Sequence, residues 1–211
     1  MKSSLPLYAL SALLLSFAPT HANAEDAPYQ INIWSSVLFN AEGNPAEIRI
    51  EKEAEYPAKF LEAVKGKISA AHIDAPLQNG QAASYRTGIR LVYTVTPSAQ
   101  GASVTLDEFT LSPLPLREYY APYPRSLAGE NGWQGVLKVV CKVSTEGLCA
   151  TVDVTGVDGP APEAARKYAK DSMAKWKFEP QTLNGSAIEG EYVFNMSLKS
   201  DPHVIKDPRR R

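Results

Sequence analysis

The chain of 211 residues is poor in the side chains from which reactive centres are built: it has two cysteines and three histidines. Two sulfurs need further ligands to close a zinc site, and no histidine pair lies near Cys141 and Cys149. His72 falls on a predicted helix and reads as a packed or half-exposed residue rather than a base, while His21 and His203 lie near the two ends. No glycine-rich phosphate loop follows a strand pattern. Asp153 and Asp158 read as ordinary strand and loop carboxylates. No catalytic residue, metal ligand or cofactor is expected, and the chain does not read as an enzyme. An excess of one charge is missing too: 22 basic residues face 23 acidic ones. That removes the basic face by which nucleic-acid binders displace counterions. The one dense positive cluster, Arg209-Arg210-Arg211, closes a basic tail over 200–211 and reads as solvated. Beyond the first residues, no segment is apolar enough to enter a membrane.

What is present begins with an export pattern. Lys2 precedes the apolar run Leu5 to Phe17, and Ala22-Asn23-Ala24 leads into Glu25-Asp26. This charged, apolar and small-residue order is that of a secretory signal over 1–24. A spanning helix needs about 20 apolar residues, so cleavage after Ala24 and a periplasmic product are expected. The rival reading is an uncleaved inner-membrane anchor. An even cysteine count in an exported chain favours a Cys141–Cys149 disulfide across the turn Ser144-Thr145-Glu146-Gly147, with two buried free thiols as the alternative. The gap between them lacks the two-residue spacing of thioredoxin-like redox pairs.

The two halves echo one another. Glu42-Gly43 precedes Glu146-Gly147, and Pro76 precedes Pro180, by about 104 positions. Asn79-Gly80 and Asn184-Gly185 follow the two prolines. Val37 and Phe39 match Cys141 and Val143, while Pro45, Ile48 and Ile50 match Cys149, Val152 and Val154. Side chains on a strand change face at every residue, so the shift of parity within the second set predicts a bulge in both hairpins. Helix signals follow: Tyr56-Pro57 with Leu61, Val64, Ile68 and Ala71 or His72, then Pro162 and Glu163 with Ala165, Tyr168, Ser172 and Trp176. Gly66 should weaken the first helix by up to about 1 kcal/mol. Alternating strands come next, Ile89 to Val95 and Tyr192 to Leu198, and the first half adds a strand over Val104 to Leu111.

The repeated unit is strand, strand, helix, strand. The expected fold is α+β: two tandem small units, each an antiparallel sheet with one helix on a face. They occupy 27–111 and 123–199, joined by a semi-rigid linker over 112–122 marked by Pro113, Pro115 and Pro122.

The second half carries further markers: Tyr123-Pro124-Arg125, Gly132-Trp133-Gln134-Gly135-Val136, Thr145-Glu146-Gly147 and Trp176-Lys177-Phe178-Glu179-Pro180. Asn184-Gly185 and the final alternating strand complete the set. Their order over 119–199 resembles the C-terminal domain of the TonB family of periplasmic energy transducers. The first half matches only through the repeat, with His72 standing for the tryptophan and Asp74 for the phenylalanine. The resemblance implies energy-transducing transmembrane transport, through contact with a TonB-dependent outer-membrane receptor or another envelope protein. The contact is addition of an extended partner segment to the last strand, here Tyr192, Val193, Phe194, Asn195, Met196, Ser197 and Leu198. An ExbB/ExbD-type motor is implied only if the N-terminus stays anchored. The family's membrane histidine and its long proline-rich spacer are missing. The alternative is a structural or regulatory envelope protein that packs its units together or forms a homodimer through sheet edges. Tyr123, Pro124, Gly147, Trp176, Phe178 and Pro180 are expected to build the core, not a docking surface.

Overall fold

The computed structural model describes residues 27–98, 101–128 and 132–199. The expected signal segment, His21, His203 and the basic tail lie outside the described residues. Strands β1 (Tyr29–Phe39) and β2 (Pro45–Ile50) form a hairpin, followed by helix α1 (Ala58–Ser69). A small hairpin of β3 (Leu77–Gln78) and β4 (Gln81–Ala82) precedes β5 (Tyr85–Ser98), β6 (Gly101–Ser112) and β7 (Leu114–Arg117). The second half opens with β8 (Gly135–Val143), β9 (Cys149–Gly156) and helix α2 (Glu163–Met173). It continues through β10 (Lys177–Glu179), β11 (Gln181–Leu183) and β12 (Ser186–Ile188) to β13 (Gly190–Leu198). The architecture is α+β, mostly antiparallel sheet with two helices. One sheet has the order β12-β11-β5-β1-β2, with β6 also on β5; another has the order β13-β8-β9; β10 pairs β7 and β3 pairs β4.

The chain divides into two compact units that do not follow the expected boundary at the linker. The smaller holds residues 27–33 and 90–110. Within it Ile33, Leu91, Tyr93 and Val95 are buried, Arg90 pairs with Glu108, and the Thr94 hydroxyl donates to Asp107. The larger holds 34–89 and 111–199. Its principal core gathers Leu137, Val139, Cys141 and Val143 of β8, Ala165, Tyr168, Ala169 and Met173 of α2, and Trp176 and Phe178. The helix faces follow their apolar spacing: Phe60, Val64 and Ile68 are buried on α1, and Ala165, Tyr168 and Ser172 on α2. On α1, Phe60 is more deeply buried than the expected Leu61, and Gly66 sits in an unbroken helix.

The sequence echo between the halves has counterparts in local geometry. The β1–β2 register slips between Leu38 and Phe39, and the β8–β9 register slips between Lys142 and Val143. The unpaired residues, Ala46 and Ala150, stand at equivalent places, as the parity shift requires. The turns match as well. Gly43 N–H donates to Asn40 O and Asn40 N–H to Asn44 O; Gly147 and Ser144 make the same bonds to Ser144 O and Leu148 O. Past each helix, Ile73 N–H donates to Gly43 O at 3.0 Å and Phe178 N–H to Gly147 O at 2.9 Å. Ile73, not Asp74, therefore stands where Phe178 does. The second half carries one more residue just after Trp176, which a fixed offset in sequence does not reveal. Both Asn-Gly pairs have positive φ at both residues, the conformation of a two-residue hairpin turn.

The proline-marked segment 112–122 is not a free linker. Leu114–Arg117 is strand β7, paired with β10. Pro115 is tolerated because, among the described residues, β7 has a strand partner on one side only, so its missing N–H disrupts no second ladder. Beyond β7, Tyr119 and Ala121 are tied down by bonds from Trp176 Nε1 to Tyr119 O (2.8 Å) and from Ala121 N–H to Ser172 Oγ (2.9 Å).

Candidate strand-pairing edge

The strand β13 is long, regular and paired on one side. It runs antiparallel to β8 without a register break, from Gly190 opposite Val143 to Leu198 opposite Gly135. Among the described residues no strand pairs with its other side. Its backbone groups on that side form a ready template for one more strand.

Side chains divide by parity. Tyr192, Met196 and Leu198 are buried and Phe194 is half-buried on the core side, while Glu191, Val193, Asn195 and Ser197 are exposed. The core side is stiffened by aromatic rings. Trp176 stacks on Phe194 with centroids 5.3 Å apart, and Phe178 lies 5.0 Å from Tyr192. At its N-terminal end β13 is clamped: a Cβ on Gly190 would lie 2.6 Å from Gln181 Oε1 and 2.8 Å from Pro113 Cγ. The edge is therefore held in register and cannot slide along β8 without repacking these rings.

The first half contributes to this end. Trp34 of β1 lies 6.0 Å, ring to ring, from Tyr192. Ser36 Oγ donates to Glu179 Oε1 at 2.8 Å, and Arg49 pairs with the same carboxylate. Gln181 Nε2 donates to Thr87 Oγ1 at 2.7 Å, and Thr182 and Leu183 of β11 pair with Arg86 and Tyr85 of β5. No motif signalled these contacts, which need the tertiary fold to bring together residues from 94 positions apart (Thr87 and Gln181) to 158 apart (Trp34 and Tyr192).

Cys141 and Cys149 form a disulfide, with Cα atoms 5.6 Å apart, across the β8–β9 hairpin beside its bulge. Gly147 has φ +74°, and a Cβ there would lie 2.1 Å from Phe178 O. Trp176 and Phe178 are buried, Tyr123 and Pro124 are half-buried, and Pro180 lies against Gly147. Tyr123 packs edge-on to Tyr168 at 5.5 Å. On the exposed face Lys142 pairs with Glu191, and that hydrogen-bonded carboxylate raises the lysine's pKa. His72 is exposed, with Nδ1 3.1 Å from Asn44 Oδ1. Among the described residues no group of three or more His, Cys, Asp or Glu side chains is placed to hold a metal, and no helix is long and apolar enough to cross a membrane.

The helix-backed antiparallel sheet thus ends in a strand that, among the described residues, is paired on one side only. Residues 119–197 match the family model described as Gram-negative bacterial TonB protein C-terminal. Over these residues the chain is similar to the TonB C-terminal domain. Neither the curated proteins nor the solved structures compared with the chain gave a match.

Proposed function

We propose that the protein is a periplasmic, TonB-like binding protein that takes an extended segment of an outer-membrane TonB-dependent receptor as an additional strand on β13. The observation that carries this reading is that, among the described residues, β13 has a strand partner on one side only and is held in place by Trp176, Phe178 and Gly190. Main-chain hydrogen bonds supply affinity, and the alternating row from Tyr192 to Leu198 supplies selection. The family match supports an envelope location and a receptor partner, and the disulfide suits an oxidising compartment. The first half is a diverged copy of the same unit, supported by the shared bulge, turn bonds and Asn-Gly hairpins.

Capture from envelope extract tests the reading. Wild type is compared with Val193→Pro and Asn195→Pro, with the fold checked by circular dichroism. Receptor capture should fall sharply while the fold persists. If capture is unchanged in folded variants, β13 is not the contact. A second reading, self-association through the same edge, is favoured by one feature: β13 carries neither proline nor bulge to blunt it. A mass that rises with concentration in the isolated protein would support it, and a constant monomeric mass would dismiss it.

A further inference from the structure

Basic residues on the strands are mostly matched by a carboxylate. Arg49 pairs with Glu51 and Glu179, Arg86 with Glu47, Arg90 with Glu108, and Lys142 with Glu191. Lys138 stands alone, opposite Thr155 and Asn195. The ladder of β7 and β10 departs from this pattern: Lys177 lies directly opposite Arg117, and both are exposed. Residues so placed have Cβ atoms about 4.5–5.5 Å apart, and like charges there repel. The acids nearest along the chain are engaged elsewhere. Glu118 accepts from the Tyr120 hydroxyl, Glu146 from that of Thr145, and Glu179 from Ser36 and Arg49.

Apolar side chains frame the pair. The register of β7 and β10 slips between Lys177 and Phe178, which leaves Leu116 as the extra residue beside Arg117. Leu116 is 57% exposed. On its other side Lys177 is bridged to Leu148, which is 46% exposed. Leu148, Lys177 and Arg117 therefore form a row across neighbouring segments, about 10 Å wide at the usual spacing of strands. Lys175, two residues before Lys177, holds its Nζ 4.4 Å from the ring centre of Tyr119, two residues after Arg117. We infer that this row is a docking site for an acidic segment of a protein partner: one carboxylate bridges Lys177 and Arg117, and apolar neighbours cover Leu116 and Leu148. Such a carboxylate relieves the repulsion and accepts charge-assisted bonds from both cations, while the leucines leave water. An anionic membrane would call for more charge. Basic segments that bind one carry about four to eight lysines or arginines, more than Lys175, Lys177 and Arg117 supply. The site does not depend on strand pairing at β13.

The probe is a capped peptide, Ser-Leu-Glu-Leu-Ser, titrated into the full isotope-labelled chain and followed by amide NMR, with Ser-Leu-Gln-Leu-Ser as its uncharged counterpart. Saturable shifts should centre on Arg117, Leu148 and Lys177, and the glutamine peptide should bind at least about fivefold more weakly. Lys177→Glu sets a carboxylate opposite Arg117 from within the chain. It should abolish the response and raise Tm by roughly 1–4 °C, since opposite charges replace like ones. The rise in Tm distinguishes lost docking from lost folding. Lys138→Glu, on a different ladder, should leave the response unchanged. Folded Val193→Pro and Asn195→Pro variants should also leave it unchanged; loss in them would place the peptide on β13 and overturn the site. No saturable shift at the row, equal binding of the two peptides, or an unaltered response in Lys177→Glu would overturn it as well. So would absent peptide binding together with co-sedimentation on phosphatidylcholine vesicles holding about one-third phosphatidylglycerol, abolished by Lys177→Glu, which would give the row to an anionic lipid surface.

Discussion

Trp176 separates a core role from a docking role, and its removal gives the sharpest test of the second half. The residue is 2% exposed. Its ring lies 5.3 Å from Phe194, 5.9 Å from Tyr192 and 6.1 Å from Phe178, and its Nε1–H donates to Tyr119 O at 2.8 Å. Trp176→Ala removes the largest fully buried side chain in the structure. Truncating a buried aromatic residue costs about 3–5 kcal/mol, and the orphaned Tyr119 carbonyl adds about 1 kcal/mol. At about 2–4 °C per kcal/mol for a chain of this size, Tm should fall by roughly 8–24 °C. Trp176→Phe keeps most of the ring contact and loses the N–H, so its loss should be well under half of that. Thermal melts followed by far-ultraviolet circular dichroism, with the disulfide intact, read both. A Tm within about 1 °C of wild type for Trp176→Ala, together with lost partner binding, would refute the packing argument and make the ring a docking surface.

Other outcomes follow from the same geometry. Replacing Cys141 and Cys149 by serine opens a loop of sequence separation 8 and should cost about 2.5 kcal/mol by loop-closure entropy, read from urea midpoints. Gly147→Ala must hold φ near +74° and drive Cβ to 2.1 Å from Phe178 O. Gly185→Ala at φ +78° meets nothing within 4 Å. The second should cost about 1 kcal/mol of backbone strain and the first at least twice that; equal losses would contradict the close approach. In alkali, burial raises the pKa of Tyr85, Tyr93 and Tyr168, and Tyr120 is pushed up to about 12 by burial and then by Glu118. The folded state keeps phenol protons that the unfolded chain releases near pH 10, so this stabilisation is full below about pH 10 and is lost as pH rises towards about 12. Phenolate absorbance should titrate above the value measured in denaturant.

Residues paired by local periodicity were legible without a structure. The parity shift between Cys149 and Val152 marks the bulge because alternation is a strict property of a strand. The apolar spacing from Ala165 to Ser172 marks the buried face of α2 because 3.6 residues make a turn. The equivalence of Phe178 was misjudged at Asp74, because one extra residue after Trp176 leaves no mark in a pattern read at constant offset. The prolines of 112–122 suggested a semi-rigid linker. Proline is equally at home on a strand with one partner, and only the position of β10 discriminates between the two.

The amino-acid order alone pointed to the hairpins, the helices, the final strand, the pairing of the cysteines and the turn glycines, since each depends on neighbours within a few residues. Which edge is filled was decided by the tertiary structure. Strands β5 and β13 are similar in pattern, and nothing within either reveals that β6 pairs with one while the other, among the described residues, pairs with β8 alone. Edge occupancy is a property of the whole sheet: it depends on which distant backbone reaches an unpaired row of donors and acceptors first.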